Sequence, residues 1–430
     1  MTQPQQASRS AIAAWCLYDW ANSAYNTVIT TFVFAVYFTR GVAGDAVAGT
    51  AAWSTAMALA GVAIAVLSPV LGAVADRAGR RKPWLAATTA LTILTTAGLW
   101  WVRPDPAYVP LALWLVAVGT VAFELANVFY NAMLPAVAPP SYLGRVSGWG
   151  WGVGYFGGLA CLVVALFGFV RAESPVAQWL GTAAQEPVRA TAWLVAGWFA
   201  LFAWPLFRWV PEAPAAPVPV MRAVREGLAE VAATLRHVRG MRDAARFLVA
   251  SAFYRDGINT LTAFGGIYAA GTFGMAFEEI VMFAIALNVV AGLGSVGFAW
   301  IDDRIGAKPT ILMAVGGLAV TGTVLLLIED KAWFWWSAMG LGLCFGPAQA
   351  AGRSLMARLS PEGRVAEMFG LYSLTGKAAG FLGPAALGWA TASFGSQRAG
   401  MASILVFFAV GFALMLTVRD PHRQNATVHR

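Results

Sequence analysis

The sequence predicts an all-α membrane protein in which twelve transmembrane helices form two six-helix bundles. Of its 430 residues, 59% are hydrophobic and 12% are charged, whereas soluble domains contain about 25% charged residues. Such a chain could not cover its own surface with polar groups in water. Twelve apolar segments are long enough, or nearly so, to cross a bilayer core of about 30 Å. These spans, numbered 1 to 12 in chain order, cover residues 11–38, 50–75, 84–102, 109–133, 145–170, 190–209, 245–272, 277–300, 308–328, 332–356, 364–391 and 397–418.

The basic residues predict how the spans are oriented. An even number of spans places both termini on one side of the membrane. Of the 29 Lys and Arg residues, 20 then fall on the side of the termini, 6 on the other side and 3 inside spans. Because cytoplasmic loops are enriched in Lys and Arg, we expect a bacterial-type inner-membrane protein with both termini in the cytoplasm. The net charge of +8 therefore reflects topology, and no nucleic-acid partner is expected.

The chain is predicted to divide into two bundles and a linker. Residues 1–209 form the N-terminal bundle, residues 210–244 a cytoplasmic linker and residues 245–430 the C-terminal bundle. The linker opens with a proline-rich run and continues, at residues 220–240, with an arginine-rich stretch of helical periodicity. We expect an amphipathic helix there, on the inner membrane surface. A passive tether between the bundles is its simplest role.

The two halves of the chain repeat each other. Spans 1 and 7 both contain Asp-x-x-Asn, the loops after spans 2 and 8 both contain Asp-Arg-x-Gly, and spans 5 and 11 both begin with Gly-Arg-Val. Three motifs in the same order, at equivalent places, indicate duplication of a six-span unit. Duplication with the same topology predicts a pseudo-two-fold axis along the membrane normal and a binding site at the midplane between the halves.

Polar residues form stripes on two otherwise apolar spans. In span 1, Asp19, Asn22 and Asn26 stand at i, i+3 and i+7 and therefore share one helix face. The same spacing occurs in span 4, at Glu124, Asn127 and Asn131. Hydrocarbon cannot satisfy these groups, so both stripes must face protein or a water-filled cavity.

Two stretches of the sequence resemble a known transporter family. Residues 72–82, GAVADRAGRRK, resemble the loop 2–3 signature of the major facilitator superfamily, and DRIGAK at 303–308 is a weaker copy. The run YDWANSAYNTVITTFVF in span 1 resembles the first span of the vacuole-effluxer branch, whose fungal members export amino acids from the vacuole. The resemblance implies the major facilitator fold, with spans 1, 4, 7 and 10 around a central cavity.

Ionisable residues inside the spans fall where that resemblance places the cavity wall. Five of the six lie on spans 1, 4, 7 and 10, and the sixth, Lys377, lies on span 11. Each would be costly if it faced lipid. The predicted site for solute and proton consists of Asp19, Asn22, Asn26, Glu124, Asn127, Asn131, Asp256, Asn259, Gln349, Arg353 and Lys377.

Two carboxylates are candidates for proton coupling. Asp19 or Glu124 is expected to carry the proton, because a cavity of low dielectric constant disfavours the ionised form and lets a carboxyl group load and release a proton. The alternative for groups of this kind is a structural ion pair or an inter-helix hydrogen bond, such as Asp256 with Arg255 or Arg353.

Two cations of the C-terminal half are expected to face these carboxylates. A cavity with carboxylates on one side and Arg353 or Lys377 on the other would bind a zwitterion, its ammonium toward the carboxylates and its carboxylate toward the cations. Arg353 has an alternative place near the inner end of its span, where it would pair with lipid headgroups.

The loop after span 2 is expected to form a gate. An Asp at the inner end of this span can accept hydrogen bonds from backbone N–H groups at the start of span 11, near Gly363-Arg364, where the helix dipole favours negative charge. Such a latch would hold the two halves together on the inside. Plain charge anchoring is the alternative, but it explains only the arginines. The predicted gating residues are Gly72, Asp76, Arg77, Gly79, Arg80, Arg81, Asp303, Arg304 and Gly306.

Other chemistries find little support in the sequence. A formal Gly-x-Gly-x-x-Gly at 152–157 lies inside an apolar span without a preceding strand, so we interpret Gly150, Gly154 and Gly158 as a surface for close helix packing. We find no nucleophile–base pair and no arrangement of Cys or His typical of a metal site. No enzymatic activity, cofactor or metal is therefore expected.

The expected function is secondary active transport of a small polar solute, such as an amino-acid-like zwitterion, by alternating access and with proton coupling. The expected partners are the solute, the proton and the lipid bilayer, and the protein is expected to be a monomer. Two alternatives remain open. An exporter of amphiphilic, drug-like compounds would be favoured if Trp and Phe line the cavity, whereas a non-transporting receptor or scaffold would have no use for the polar stripes.

Overall fold

A computed structural model of the protein describes residues 8–171, 173–181, 183–212, 222, 225–227, 229, 241–275 and 277–419. All twelve predicted spans are helical within these ranges. The helices of the first half are Arg9–Ala24, Phe34–Tyr37, Ala46–Ala78, Lys82–Gly98, Val109–Ala132, Leu134–Val137, Leu143–Ala165, Pro175–Leu180 and Glu186–Trp209. Those of the second half are Arg242–Phe273, Phe277–Ile305, Ala307–Leu327, Lys331–Leu359, Val365–Ala379, Leu382–Phe394 and Gln397–Leu416. The predicted linker helix at 220–240 falls mainly outside the described residues.

Short polar side chains and glycines set the ends of the spans. The Asp45 carboxylate accepts a hydrogen bond from the Ala48 N–H at 2.7 Å and caps the start of span 2, and Asp330 accepts from two N–H groups at the start of span 10. Gly79 ends span 2 with φ of 69°, and Gly306 follows span 8 with φ of 100°. Glycine adopts these backbone angles without the strain that a Cβ would add.

Span 1 is not a regular helix. It is α-helical at Arg9–Ala24 and π-helical at Tyr25–Phe32, and a second π-helical segment ends it. The hydroxyls of Thr30 and Thr31 both donate to the carbonyl oxygen of Asn26 at 2.8 Å. Because π-helical turns are frequent at functional sites, the π-helical segment that contains Asn26 is consistent with a functional role for this part of the predicted stripe.

Seven helices of the described residues could each cross a membrane by length and apolar composition alone, and they correspond to spans 2, 4, 5, 6, 8, 9 and 12. The remaining five are interrupted, short or charged. Span 1 contains the π-helical segments, span 3 begins as a helix of 17 residues, span 11 breaks between Ala379 and Leu382, and spans 7 and 10 carry buried charges. Three of these five spans, 1, 7 and 10, carry buried polar or charged side chains, including Asn22, Asp256 and Arg353.

Span 5 makes close contacts through two rows of glycines. The row formed by Gly150, Gly154 and Gly158 faces span 1, where an added Cβ would come within 2.5 to 2.9 Å of a side-chain oxygen. Those oxygens belong to Asp19, Ser23 and Thr27. A second row faces span 8 of the other half: Gly144, Gly148 and Gly152. The predicted small-residue surface therefore packs against span 1, while the second row brings the two halves into contact.

Candidate functional site

A cavity of about 300 Å³ lies between the two halves. It is lined by described residues of spans 1, 4, 5, 7, 8, 10 and 11, and 14 of these 21 residues have charged, amide or aliphatic hydroxyl side chains. Nine of the predicted site residues are among them: Asp19, Asn22, Asn26, Glu124, Asn127, Asn131, Asn259, Gln349 and Arg353. The structure thus places nine of the eleven predicted site residues in the lining of one cavity.

The two polar stripes contact each other across the cavity wall. Asn22 Nδ2 donates a hydrogen bond to Asn127 Oδ1 at 3.1 Å, which joins the middle of the span 1 stripe to the middle of the span 4 stripe. The phenol of Tyr25 donates to the backbone carbonyl of Val116 at 3.3 Å, farther along the same two spans. Spans 1 and 4 therefore form one continuous polar surface.

Arg353 lies at the centre of a buried hydrogen-bond network. Its Nη1 donates to Asp19 Oδ2 at 2.9 Å and to Asn131 Oδ1 at 3.2 Å. Its Nε and Nη2 donate to the hydroxyl and carbonyl oxygens of Ser147 at 2.9 and 2.6 Å. Arg353 is only 4% exposed, so the alternative place among lipid headgroups is wrong. Four of its five N–H groups are used within the protein. Arg353 nevertheless lines the cavity, and its binding of the solute stays a prediction.

A second ion pair joins the halves at the cavity. Lys377 Nζ donates to Glu124 Oε1 at 2.7 Å, and the two side chains are 35% and 26% exposed. Lys377 reaches the cavity through this pair and is not itself one of the described lining residues. Since both groups keep contact with solvent, separating them costs less than separating Arg353 from Asp19.

Asp256 does not line the cavity, which corrects the prediction that it belongs to the solute and proton site. It is 1% exposed, and its Oδ2 accepts a hydrogen bond from the Gly383 N–H at 2.7 Å, in the first turn of the helix Leu382–Phe394. The proposed ion pair with Arg255 or Arg353 is also absent from the described residues. Asp256 instead caps the second helix of span 11, where the helix dipole favours a carboxylate.

The predicted latch contacts are present at one end of the spans, which we call the closed end. Asp76 Oδ2 accepts from the Glu367 N–H at 2.9 Å, and Asp76 Oδ1 accepts from Arg81 Nη2 at 2.7 Å. In the other half, Asp303 Oδ1 accepts from the Gly144 N–H at 2.9 Å. Each half thus places a carboxylate at the first turn of a helix in the other half, as the sequence repeat suggests.

The two latches differ in the arginine that completes them. Arg81 belongs to the same half as Asp76, whereas Arg145 Nε donates across the interface to Asp303 Oδ2 at 2.7 Å. Arg145 also donates its backbone N–H to that oxygen at 3.2 Å. Among the described residues, the Asp303 latch therefore includes an ion pair between the halves, whereas the ion pair of Asp76 lies within one half.

Gly72 allows the backbones of spans 2 and 11 to touch at the closed end. A Cβ added at Gly72 would overlap the carbonyl oxygen of Ala366 and lie 2.7 Å from its carbonyl carbon. The predicted gating arginines differ in how far they are exposed. Arg81 contacts a latch carboxylate, whereas these arginines are exposed: Arg77, Arg80 and Arg304.

Replacing Asp76 by Asn is expected to loosen the closed end. The amide carries no charge for the helix dipole or for Arg81, and a loss of about 1–2 kcal/mol raises the open fraction about 5- to 30-fold. Hydrogen–deuterium exchange of residues 365–370 should therefore accelerate by that factor. Asp45→Asn, the same change at a helix cap outside the latch, is the matched control. Equal exchange in the two variants would contradict the role of Asp76.

Several residues near the cavity have no strong signature in the sequence. Arg255 stands next to an Asp and suggested only a local ion pair, yet it lines the cavity with Asn288 of span 8. A buried pair outside the cavity was likewise not predicted: Arg358 Nη1 donates to Asp302 Oδ1 at 2.7 Å, and Ser354 donates to the same carboxylate. Neither Arg255 nor the residues around Asp302 stand at a regular spacing in the sequence, so the sequence does not predict their partners.

Known proteins share both the sequence pattern and the fold. Residues 141–427 match the family described as Vacuole effluxer Atg22 like, and residues 3–162 match the Major Facilitator Superfamily. The uncharacterized MFS-type transporter YxiO of Bacillus subtilis (strain 168) is 27% identical over 420 residues, which cover 95% of this chain and 94% of that protein.

More distant similarities agree with this family. Autophagy-related protein 22 of Cryptococcus neoformans var. neoformans serotype D (strain B-3501A) is 25% identical over 331 residues, covering 68% of this chain and 57% of that protein, so the chain matches little more than half of the fungal relative. The solved structure of the E. coli fucose:proton symporter FucP superimposes with a TM-score of 0.73 at 13% identity and covers 95% of this chain and 98% of that chain.

The match to the effluxer model extends over well more than half of the chain, and the structural similarity confirms the twelve-helix fold. The predicted fold class and the predicted family are both confirmed. The chain belongs to the vacuole effluxer Atg22-like family within the major facilitator superfamily, and it is a multi-pass membrane transporter and not an enzyme.

Proposed function

We propose that this transporter moves a small polar solute, such as an amino-acid-like zwitterion, by alternating access with proton coupling. The observation that carries the proposal is the charged and amide-rich lining of the cavity between the halves. Its volume of about 300 Å³ lies at the lower end of the range for ligand pockets, roughly 300–1,000 Å³. Both the lining and the size favour a small polar solute over the amphiphilic, drug-like compounds of the alternative.

The symmetric contacts at the closed end support alternating access. Each latch consists of a few hydrogen bonds to a helix end, together with charges that water can solvate when the halves separate. Such contacts can be broken and remade without unfolding either half. The pseudo-two-fold relation of the latches agrees with rocking of two similar six-helix bundles around a site at the midplane.

Two ion pairs between the halves give proton binding a way to act on this movement. Asp19 pairs with Arg353, and Glu124 pairs with Lys377, so both of these carboxylates of the N-terminal half face a cation of the C-terminal half. Protonation of either carboxylate would remove the charge that attracts its partner. The name of the similar fucose:proton symporter agrees with proton coupling.

The same proposal includes a topology for the whole chain. We place both termini in the cytoplasm of a cell with a bacterial-type inner membrane, because of the asymmetric distribution of Lys and Arg. The closed end then faces the cytoplasm. Residues 1–209 and 245–430 act as the two moving bundles, joined by the linker at 210–244.

Uptake into proteoliposomes tests the proposed function. Purified protein would be reconstituted and offered a panel of labelled amino acids with and without an imposed pH gradient. We expect at least one solute to enter several times faster with the gradient, and the stimulation to disappear with a protonophore. Protein-free liposomes are the control. If the uptake rate of every solute is the same with and without the pH gradient, proton coupling is refuted. If no solute is taken up, the proposed solute class is refuted.

Replacing the coupling carboxylate is expected to affect gradient-driven uptake and solute exchange differently. Asp19→Asn should lower gradient-driven uptake at least tenfold, yet it should leave solute exchange across the membrane independent of pH, because the amide cannot carry the proton. Glu124→Gln is the matched variant for the second ion pair. If Asp19→Asn transports like the wild type at every pH, Asp19 is not the coupling group.

A further inference from the structure

Counted together with Lys377, which contacts the lining residue Glu124, the cavity has one cation more than its carboxylates neutralise. Asp19 is paired with Arg353, and Glu124 with Lys377. Arg255 of span 7 lines the same cavity and forms no ion pair with any carboxylate in the described part of the chain. An unpaired cation inside a membrane protein is costly and typically has a functional reason. The excess of one positive charge matches a singly charged anion.

Arg255 is held in position while most of its N–H groups stay available. Its Nη1 donates to the Tyr372 carbonyl oxygen at 3.1 Å, and its guanidinium carbon lies 4.1 Å from the centroid of the Tyr372 ring. The backbone of Gly376 lies against the same group, since an added Cβ there would be 3.0 Å from Nη1. Four of the five guanidinium N–H groups have no acceptor among the described residues.

The other cations near the cavity are already committed. Arg353 uses four of its N–H groups inside the protein, and Lys377 is paired with Glu124. A solute that bound to either would first have to break an ion pair. Arg255 needs no such step, and its planar fork of N–H donors fits a carboxylate through two parallel hydrogen bonds.

We propose that Arg255 binds the carboxylate of the transported solute and makes the carrier selective for acids over the corresponding amides. This assignment rests on the proposed function. The single excess charge fits a carboxylate better than a phosphate ester, which carries close to two negative charges at neutral pH. Asn259, one helical turn beyond Arg255, and Ser373 of span 11 line the cavity as well and offer neutral hydrogen-bonding groups for the rest of the solute.

Matched pairs of solutes test this assignment in the full-length carrier. Each pair consists of a labelled amino acid and its carboxamide, which differ only at the carboxylate. In proteoliposomes, the wild type is expected to take up the acid about 10- to 100-fold faster than the amide, as for hydrogen bonds to a charged group. Arg255→Gln should take up both at similar rates, and Arg255→Lys should keep part of the preference. Arg246→Gln, the same change at an exposed residue of the same helix, is the control.

The outcomes separate this assignment from the proposed function. A full preference for the acid in Arg255→Gln overturns the assignment and leaves transport of a small polar solute standing. If the wild type moves no member of any pair, the proposed function fails and the assignment fails with it. Should Arg255→Gln move neither solute, Arg255→Lys decides: a retained preference for the acid supports the assignment, and amide uptake without that preference refutes it.

Discussion

Arg353→Ala is expected to abolish transport and to lower the free energy of unfolding by about 3–5 kcal/mol, because it leaves the Asp19 carboxylate buried without a cation. The guanidinium joins span 10 to Asp19, Asn131 and Ser147, which belong to three spans of the other half. Its removal also leaves a space beside the ring of Trp15, 4.6 Å from the guanidinium carbon.

Thermal unfolding in detergent and uptake in proteoliposomes together measure this effect. Arg398→Ala is the control, since this arginine is 35% exposed, its carboxylate partner is 3.7 Å away and its hydrogen bond goes to the Ile328 carbonyl oxygen. Exposed pairs of that kind contribute about 0–1 kcal/mol. The double variant Asp19→Asn with Arg353→Gln should recover much of the stability, because neither charge is left alone, but it should not recover proton-driven uptake. Equal melting temperatures for Arg353→Ala and Arg398→Ala would contradict the central role of this pair.

Gly72→Val is expected to keep the closed end from closing and to lower uptake at least tenfold. The added side chain would enter the space of the Ala366 carbonyl group, and backbone atoms cannot move aside as a flexible side chain can. Spans 2 and 11 would have to separate, which would also pull Asp76 away from the Glu367 N–H. Neither half needs to unfold, because the clash lies between the halves.

A matched glycine in the same helix serves as the control. A Cβ at Gly61 would meet nothing within 4 Å, so Gly61→Val tests the change of residue without the clash. Spin labels on Arg80 and Glu362, exposed residues on opposite halves of the closed end, should report a longer distance in Gly72→Val than in Gly61→Val. The same distance and the same uptake in both variants would show that the close contact at Gly72 does not control closure.

The sequence predicted the features that depend on spacing along one helix. The i, i+3, i+7 stripes lie on single helix faces, so they could be assigned to a cavity before any partner was known. The latch could be anticipated because its motif stands at the end of a span and is repeated in the second half. Even here the structure adds detail, since Asp76 accepts from Glu367 and not from the backbone of Gly363 or Arg364.

Partners far apart in the chain could not be predicted in this way. Arg353 and Asp19 are separated by 334 positions, and no local pattern connects them. Asp256 was misplaced because its Asp-x-x-Asn motif equals that of Asp19, whereas its surroundings depend on the break between Ala379 and Leu382 in another span. Which residues share a face is a local property, but which faces meet is decided by packing of the whole bundle.

The unequal construction of the two latches has a consequence for the order of events at the closed end. When the halves separate, Asp76 keeps Arg81 as its counter-ion, because both travel with the same half. Asp303 keeps Arg358, which lies 3.6 Å away in its own half, but it must also give up Arg145, which departs with the opposite half. The contact between spans 2 and 11 thus has one ion pair fewer to break, and opening of the closed end should begin there before it spreads to the contact between spans 5 and 8.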